Sequence, residues 1–226
     1  MPAPGPLLAS GRWSDVYALD AHRVLRRCRD PAGRPEWEPD VMRLARDGGV
    51  PVPAVLDVDG ADMVLERVDG PTMLADLQRH PWRGSRHART LADLHERVHA
   101  VTAPPSLRTI GAPGDRLLHL DLHPANVLLA DTGPVVIDWQ GAARGAAATD
   151  LAQTYVLLVT STVPGRTRER AVGRAGQGWF ARLFRTAAGR TALEAALPAV
   201  AERRLADPSV RAEEVRRIHR LLRVRR

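Results

Sequence analysis

Four polar residues in the middle of the chain are spaced for chemistry. Leu118 to Leu129 reads Leu-His-Leu-Asp-Leu-His-Pro-Ala-Asn-Val-Leu-Leu, and Val135 to Ala142 reads Val-Val-Ile-Asp-Trp-Gln-Gly-Ala. The polar positions are His119, Asp121, Asn126 and Asp138. Val127–Leu129 and Val135–Ile137 are short apolar blocks of the kind that form buried strands, and Asp131, Thr132, Gly133 and Pro134 between them are turn formers. Such a hairpin sets Asn126 at the start of one strand and Asp138 at the end of its partner, with Asp121 on the preceding loop. Two oxygen ligands beside a separate carboxylate suit Mg²⁺-dependent phosphoryl transfer. Composition sharpens the pattern. The chain has no lysine, so its 33 basic residues are all arginine, and Asn126 is its only asparagine.

These residues resemble the catalytic loop and metal-binding aspartate of the protein-kinase-like superfamily. The nearer resemblance is to its small-molecule branch, the aminoglycoside phosphotransferase and choline kinase group. The protein-kinase pattern is H-R-D-x-x-x-x-N followed by D-F-G. Here Leu120 stands at the Arg position, and Asp138-Trp139-Gln140 at the D-F-G position. The resemblance implies that Asp121 positions an acceptor hydroxyl and takes its proton. It implies that Asn126 and Asp138 hold Mg²⁺ against the nucleotide phosphates and that His119 braces the loop. Asp150, in Thr149-Asp150-Leu151-Ala152, would cap a helix or anchor the catalytic-loop backbone. The fold implied is α+β and bilobal, protein-kinase-like. Residues 1–69 would form a small β-rich nucleotide-binding lobe, and residues 70–226 a mainly helical catalytic and substrate-binding lobe.

The N-terminal part can be read against that expectation. Gly11 to Leu19 is similar to a nucleotide-covering turn and strand, in which backbone amides and the Ser14 hydroxyl would meet a phosphate. Arg23–Arg27 makes a second strand. In the family a lysine closes this strand on the α- and β-phosphates; Arg26 holds that place here, with Arg12 and Arg27 as neighbouring alternatives. A helix is expected over Glu36 to Asp47, ended by Gly48-Gly49. Glu38 on it is the expected partner of Arg26, and Glu36 the alternative. Val50 to Leu56 is expected to enter a strand, with a hairpin at Asp59-Gly60. Met63 to Gly70 resembles the strand and hinge that hold adenine, through the Glu66 carbonyl and the Val68 amide. Val16 and Val24 would cover one face of the ring and Leu128 the other.

The stretch His95-Glu96-Arg97-Val98-His99 spells H-E-x-x-H and introduces a rival chemistry. Two histidines at i and i+4 share a helix face and could bind Zn²⁺ with Glu96 as base. A third ligand is missing, because position 105 is Pro105 and the next glutamate is Glu169. The apolar stripe Leu91, Leu94, His95, Val98 and Val101 makes Ser85–Val101 an amphipathic helix; the resemblance implies that its histidines lie beneath the catalytic loop or at the helix surface, with no metal between them.

Length and composition set the remaining bounds. The 226 residues suffice for a buried core, and no apolar run approaches the ~20 residues of a membrane span. Cys28 is the sole cysteine, and Met-Pro-Ala-Pro-Gly-Pro lacks signal-peptide character, so the expected compartment is the cytoplasm. From Leu151 onward there are 16 Arg against 6 Asp and Glu, and Ser209–Arg226 reads as a basic amphipathic helix. No aromatic-interleaved basic motif accompanies it, so a solvated face is expected rather than a nucleic-acid site. Asp138 and Asp150 are only twelve residues apart, too close to enclose a peptide-docking segment, which points to a small acceptor. The substrate half is poor in acids, whereas a polycationic acceptor needs an acidic cleft. The expectation is transfer of the γ-phosphate of ATP, or GTP, to a hydroxyl of a small molecule with Mg²⁺. A non-catalytic nucleotide-binding pseudokinase and a zinc hydrolase are the alternatives; the sequence leaves the oligomeric state open.

Overall fold

The computed structural model describes residues 4–11, 14–30, 36–162, 167–208 and 210–223. Arg12 and Trp13, within the expected nucleotide-covering turn, lie outside them. The N-terminal part is a five-stranded antiparallel sheet of β1 (Leu7–Ser10), β2 (Ser14–Ala18), β3 (Arg23–Cys28), β4 (Val55–Asp59) and β5 (Asp62–Glu66), in the order β1-β2-β3-β5-β4. Helix α1 (Glu38–Asp47) joins β3 to β4. It starts with Pro39 in its first turn beside acidic Glu38 and Asp40, and it stops at Gly48-Gly49, where Gly49 takes a φ of 85°.

Register decides what the sheet presents. Ser14, Val16 and Ala18 stand opposite Cys28, Arg26 and Val24, and Arg26 and Val24 stand opposite Met63 and Leu65. Alternation along a strand puts all of these on one face. It is the face turned to the rest of the chain, since Val24, Met63 and Leu65 join the main core and Val16 packs against it. Arg27 points the other way and pairs with Asp62 at 2.6 Å. It is therefore not a stand-in for Arg26.

Two expected strands begin or end elsewhere. Val50–Ala54 is irregular, and β4 starts only at Val55. Pro51 and Pro53 lack the amide hydrogens that a ladder needs. β5 stops at Glu66, and Arg67–Gly70 crosses as an irregular link. Gly70 at φ 146° passes so near the Leu129 carbonyl that an added Cβ would lie 2.2 Å from its oxygen. Only glycine fits that crossing.

The C-terminal part is mainly helical. Thr72 caps α2 (Met73–Arg79), accepting from the Ala75 amide at 3.1 Å. Helix α3 (Gly84–Ala100) buries Leu91, Leu94, His95 and Val98, as its stripe requires. Then come β6 (Arg116–Leu118), the hairpin of β7 (Val127–Ala130) and β8 (Gly133–Val136), and β9 (Ala143–Gly145), which pairs with β6. The hairpin turn is tighter than expected: Gly133 pairs with Ala130, and Asp131-Thr132 alone make the turn. Helix α4 (Ala147–Thr160) is central and packs on α5 (Thr167–Ala187), α6 (Arg190–Leu205) and α7 (Ala212–Arg223). The basic terminal helix docks as expected, with Ile218 fully buried and Arg216, Arg220 and Arg223 exposed. No helix among the described residues is long and apolar enough to cross a membrane.

Candidate active site

The hairpin brings the expected site residues together. The Ile137 amide donates to the Asn126 carbonyl at 3.0 Å, so Asn126 and Asp138 sit at the same end of β7 and β8. Asn126 Nδ2 donates to the Asp121 carbonyl and to Asp121 Oδ2, both at 2.9 Å. With the amide nitrogen so engaged, its oxygen is the end left to ligate a cation. Asp138 adopts a left-handed backbone, φ 66°, which turns its half-exposed side chain toward Arg26. No group of three or more His, Cys, Asp or Glu among the described residues could hold a metal by itself. That donor set fits Mg²⁺, which takes one or two protein oxygens and completes its shell with phosphate and water.

His119 is buried beneath this loop and fully ordered by hydrogen bonds. Its Nδ1 accepts from the Asp121 amide at 3.2 Å, and its Nε2 donates to the Ile137 carbonyl at 3.2 Å. Its ring lies 4.6 Å from that of Trp139, which is itself fully buried. Burial lowers the His119 pKa, against the opposing charges of Asp150, Asp121 and Asp138. With one ring nitrogen donating a hydrogen bond and the other accepting one, the ring is placed to brace the loop.

Asp150 anchors the loop rather than capping a helix. α4 already starts at Ala147, with no side chain capping it. The Asp150 carboxylate is fully buried and accepts from the His119 amide at 2.9 Å and the Leu120 amide at 2.7 Å. His99 Nε2 donates a third bond at 3.0 Å. These bonds hold Leu120 at φ 64°, a conformation that L residues rarely adopt. Burial works to raise the Asp150 pKa, but His99, His95 and the His119 amide outweigh it and hold the carboxyl well below the usual range.

Both histidines of the H-E-x-x-H stretch serve the same loop. His95 Nδ1 bonds the Leu91 carbonyl at 2.8 Å, and its Nε2 lies 3.0 Å from the Thr154 hydroxyl. That hydroxyl also reaches the Leu122 carbonyl at 2.9 Å. Glu96 faces solvent. With both rings committed, the stretch is a loop support rather than a zinc site. Burial pulls the His95 pKa down to about 4. The unfolded chain takes up this proton near pH 6.5, so stability should fall by about 3 kcal/mol as pH drops from 6.5 to 4. Urea unfolding across that range should show the slope, and His95→Gln should flatten it.

The sheet delivers the cation. Arg26 Nη1 donates to Glu38 Oε1 at 2.6 Å, Nε donates to Ser14 Oγ at 3.1 Å, and Nη2 lies 3.5 Å from Asp138 Oδ1. Glu38, not Glu36, is thus the partner, and it is completely buried. Ser14 supports Arg26 and keeps its own hydroxyl proton for a further acceptor. Around the expected adenine position, Val24 is buried, and Val16 and Leu128 are half-buried. The Glu66 side chain accepts from the Ala54 amide at 3.0 Å and pairs with Arg46 at 3.1 Å, which stiffens the chain as it leaves β5.

Some participants carried little readable signal. His123 Nε2 lies 3.4 Å from Asp121 Oδ1, and its Nδ1 accepts from the Ala125 amide. Burial raises the Asp121 pKa, but this contact, with His119 and Asn126, brings it below its ordinary value. The Asp-x-His spacing was the available clue. Arg108 and Arg203, from a loop and from α6, line the same cleft of about 790 Å³ as Ser14, Asp121 and Asp138.

Residues 111–189 match the family described as the phosphotransferase enzyme family, APH. Streptomycin 6-kinase of Streptomyces griseus is 30% identical over 159 residues, 53% of this chain and 50% of that protein. The chain therefore spans about half the length of the curated relative it matches. Among solved structures, aminoglycoside phosphotransferase APH(2'')-Ib bound to ADP superposes over 96% of this chain and 90% of its own, at 12% identity and a TM-score of 0.65. A choline/ethanolamine kinase family protein from Mesorhizobium loti covers 96% and 86%, at 18% identity and a TM-score of 0.56. The chain thus has the fold of these aminoglycoside phosphotransferase and choline/ethanolamine kinase family structures, and its residues 111–189 match the phosphotransferase enzyme family.

Proposed function

We propose that the chain is a small-molecule kinase that moves the γ-phosphoryl group of ATP or GTP, with Mg²⁺, to a hydroxyl of its acceptor. The observation that carries this reading is the joint geometry of Asp121, Asn126 and Asp138 at one hairpin end, with Arg26 reaching Asp138 from the sheet. The nucleotide would lie under the sheet, its base between Val16, Val24 and Leu128 and bonded to the Glu66 carbonyl and Val68 amide. Asn126 and Asp138 would hold the Mg²⁺, which when bound neutralises phosphate charge. Asp121 orients the acceptor hydroxyl and takes its proton. The acceptor oxygen then bonds the γ-phosphorus, and the bond to the β,γ-bridging oxygen breaks, its electron pair leaving with the nucleoside diphosphate. The matched family and the streptomycin kinase support a small-molecule acceptor. A mass-spectrometric screen for phosphorylated products, using a metabolite and antibiotic panel with Mg²⁺ and ATP or GTP, tests the reading. A chain that binds nucleotide but phosphorylates nothing would favour the pseudokinase alternative.

Arg26 is where the family pattern departs, and it gives a second test. Its fork already holds Glu38 and Ser14, and it keeps positive charge where a lysine would stand. In a chain without lysine this is a substitution of like charge rather than a loss. Arg26→Lys should keep measurable transfer. Arg26→Ala removes a charge-assisted contact worth about 1.5–3 kcal/mol, roughly 10- to 150-fold in single-turnover rate. Equal rates for wild type and Arg26→Ala would remove Arg26 from the phosphate site.

A further inference from the structure

We infer that the acceptor carries an anionic group, a carboxylate or a phosphate, which seats against Arg108 and Arg203 while its hydroxyl faces Asp121. The inference rests on the phosphotransferase reading and adds the acceptor's charge to it.

The cleft beside Asp121 holds two arginines, Arg108 and Arg203, whose charge no carboxylate among the described residues meets directly. Its carboxylates are Asp121 and Asp138, which have proposed roles already, Asp30 just past the end of β3, and Asp207. Arg204 is neutralised in place, since it bonds Glu214 at 2.9 Å and Asp207 at 3.0 Å. Arg108 and Arg203 make no ion pair with any carboxylate among the described residues. Arg108 donates only to main-chain oxygens, Gly141 at 2.6 Å and Ala142 at 3.2 Å, just past Asp138-Trp139-Gln140. Its guanidinium lies 5.8 Å from the centre of the Trp37 ring. It is thereby fixed at the rim of the catalytic segment with three N–H groups still to place. Arg203 donates from Nη2 to Gln153 at 2.9 Å, and its Nη1 is buried with no acceptor among the described residues.

Two guanidiniums that line one cleft without a carboxylate partner among the described residues, each with donors unfilled, are a recognition surface for an oxyanion. Burial, and then the charge of Arg108, pull the Arg203 pKa below its ordinary value although Asp150 opposes them, so the guanidinium gains from an arriving anion. A cationic group placed against Arg108 and Arg203 would meet repulsion.

The test titrates four probes into the full chain, with and without Mg²⁺ and a non-hydrolysable ATP analogue. Gluconate and glucose 6-phosphate are anionic polyols, glucose is neutral, and streptomycin is cationic. At least one anionic probe should bind ten-fold or more tighter than glucose. Arg203→Gln should remove that advantage, and so should Arg108→Gln, whose exposed position guards against a folding defect in the first variant. The stronger of the two anionic probes identifies carboxylate or phosphate as the recognised group. Tighter binding of streptomycin than of either anion, anions no better than glucose, or an anion advantage untouched by both variants would overturn the inference. Failure of the ATP analogue itself to bind would instead overturn the phosphotransferase reading beneath it.

Discussion

Asp121→Asn should lower phosphoryl transfer by ~10²–10⁴-fold, the usual range for losing a general base, and leave nucleotide affinity close to wild type. The substitution keeps volume and one acceptor oxygen but removes the group that takes the acceptor's proton. Asn126 should stay in place, because its Nδ2 also donates to the Asp121 main-chain carbonyl at 2.9 Å. His119 holds the loop through the Asp121 amide, which the substitution does not touch. Asp138→Ala makes the contrast. It removes a proposed cation ligand, so it should weaken Mg²⁺-dependent nucleotide binding as well as transfer. Single-turnover rates and nucleotide titrations with and without Mg²⁺, on both variants, separate the two roles. Transfer by Asp121→Asn at the wild-type rate would refute the base assignment.

How far this site was legible in the sequence depended on the range of the interactions. Asn126 and Asp138 were readable because each interrupts an apolar block at a hairpin end, and a hairpin fixes its own neighbours. Arg26 over Arg27 follows from strand alternation, which sends one to Glu38 and the other to Asp62. The cap-or-anchor choice for Asp150 was not readable. Its bonds to His119 and Leu120 span about thirty residues, and only the packing of α4 beneath the loop makes them. The same holds for Arg108 and Arg203, which sit in segments with no motif and meet across the cleft only through the fold. The H-E-x-x-H stretch misleads for the complementary reason. Its spacing gives one helix face, but what that face meets, Thr154 and Asp150, is set by a helix more than fifty residues away. Strand ends were also beyond reach. β5 stops where Gly70 must clear the Leu129 carbonyl, a contact between distant segments.

Asp150→Asn should cost about 3–5 kcal/mol of stability, the scale for breaking a buried charged contact, and should depress transfer with Asp121 untouched. The asparagine keeps one acceptor oxygen and turns an NH₂ group toward donors. At least one of the His119 amide, the Leu120 amide and His99 Nε2 then loses its acceptor in a buried site. Leu120 loses what holds it at positive φ, so the loop should relax and carry Asp121 out of register. The pH dependence identifies the cause. The folded pKa of Asp150 is depressed, so its contribution is complete above the ordinary carboxylate pKa of about 3.9 and is lost as pH falls below it. The stability gap between wild type and Asp150→Asn should therefore be widest near neutrality and narrow below about pH 4. The His95 transition lies higher, between 6.5 and about 4, so the two windows can be read separately in one urea series. A gap that stays constant down to the lowest pH at which the chain folds, or a variant as stable as wild type, would show that the Asp150 charge does not hold the catalytic loop.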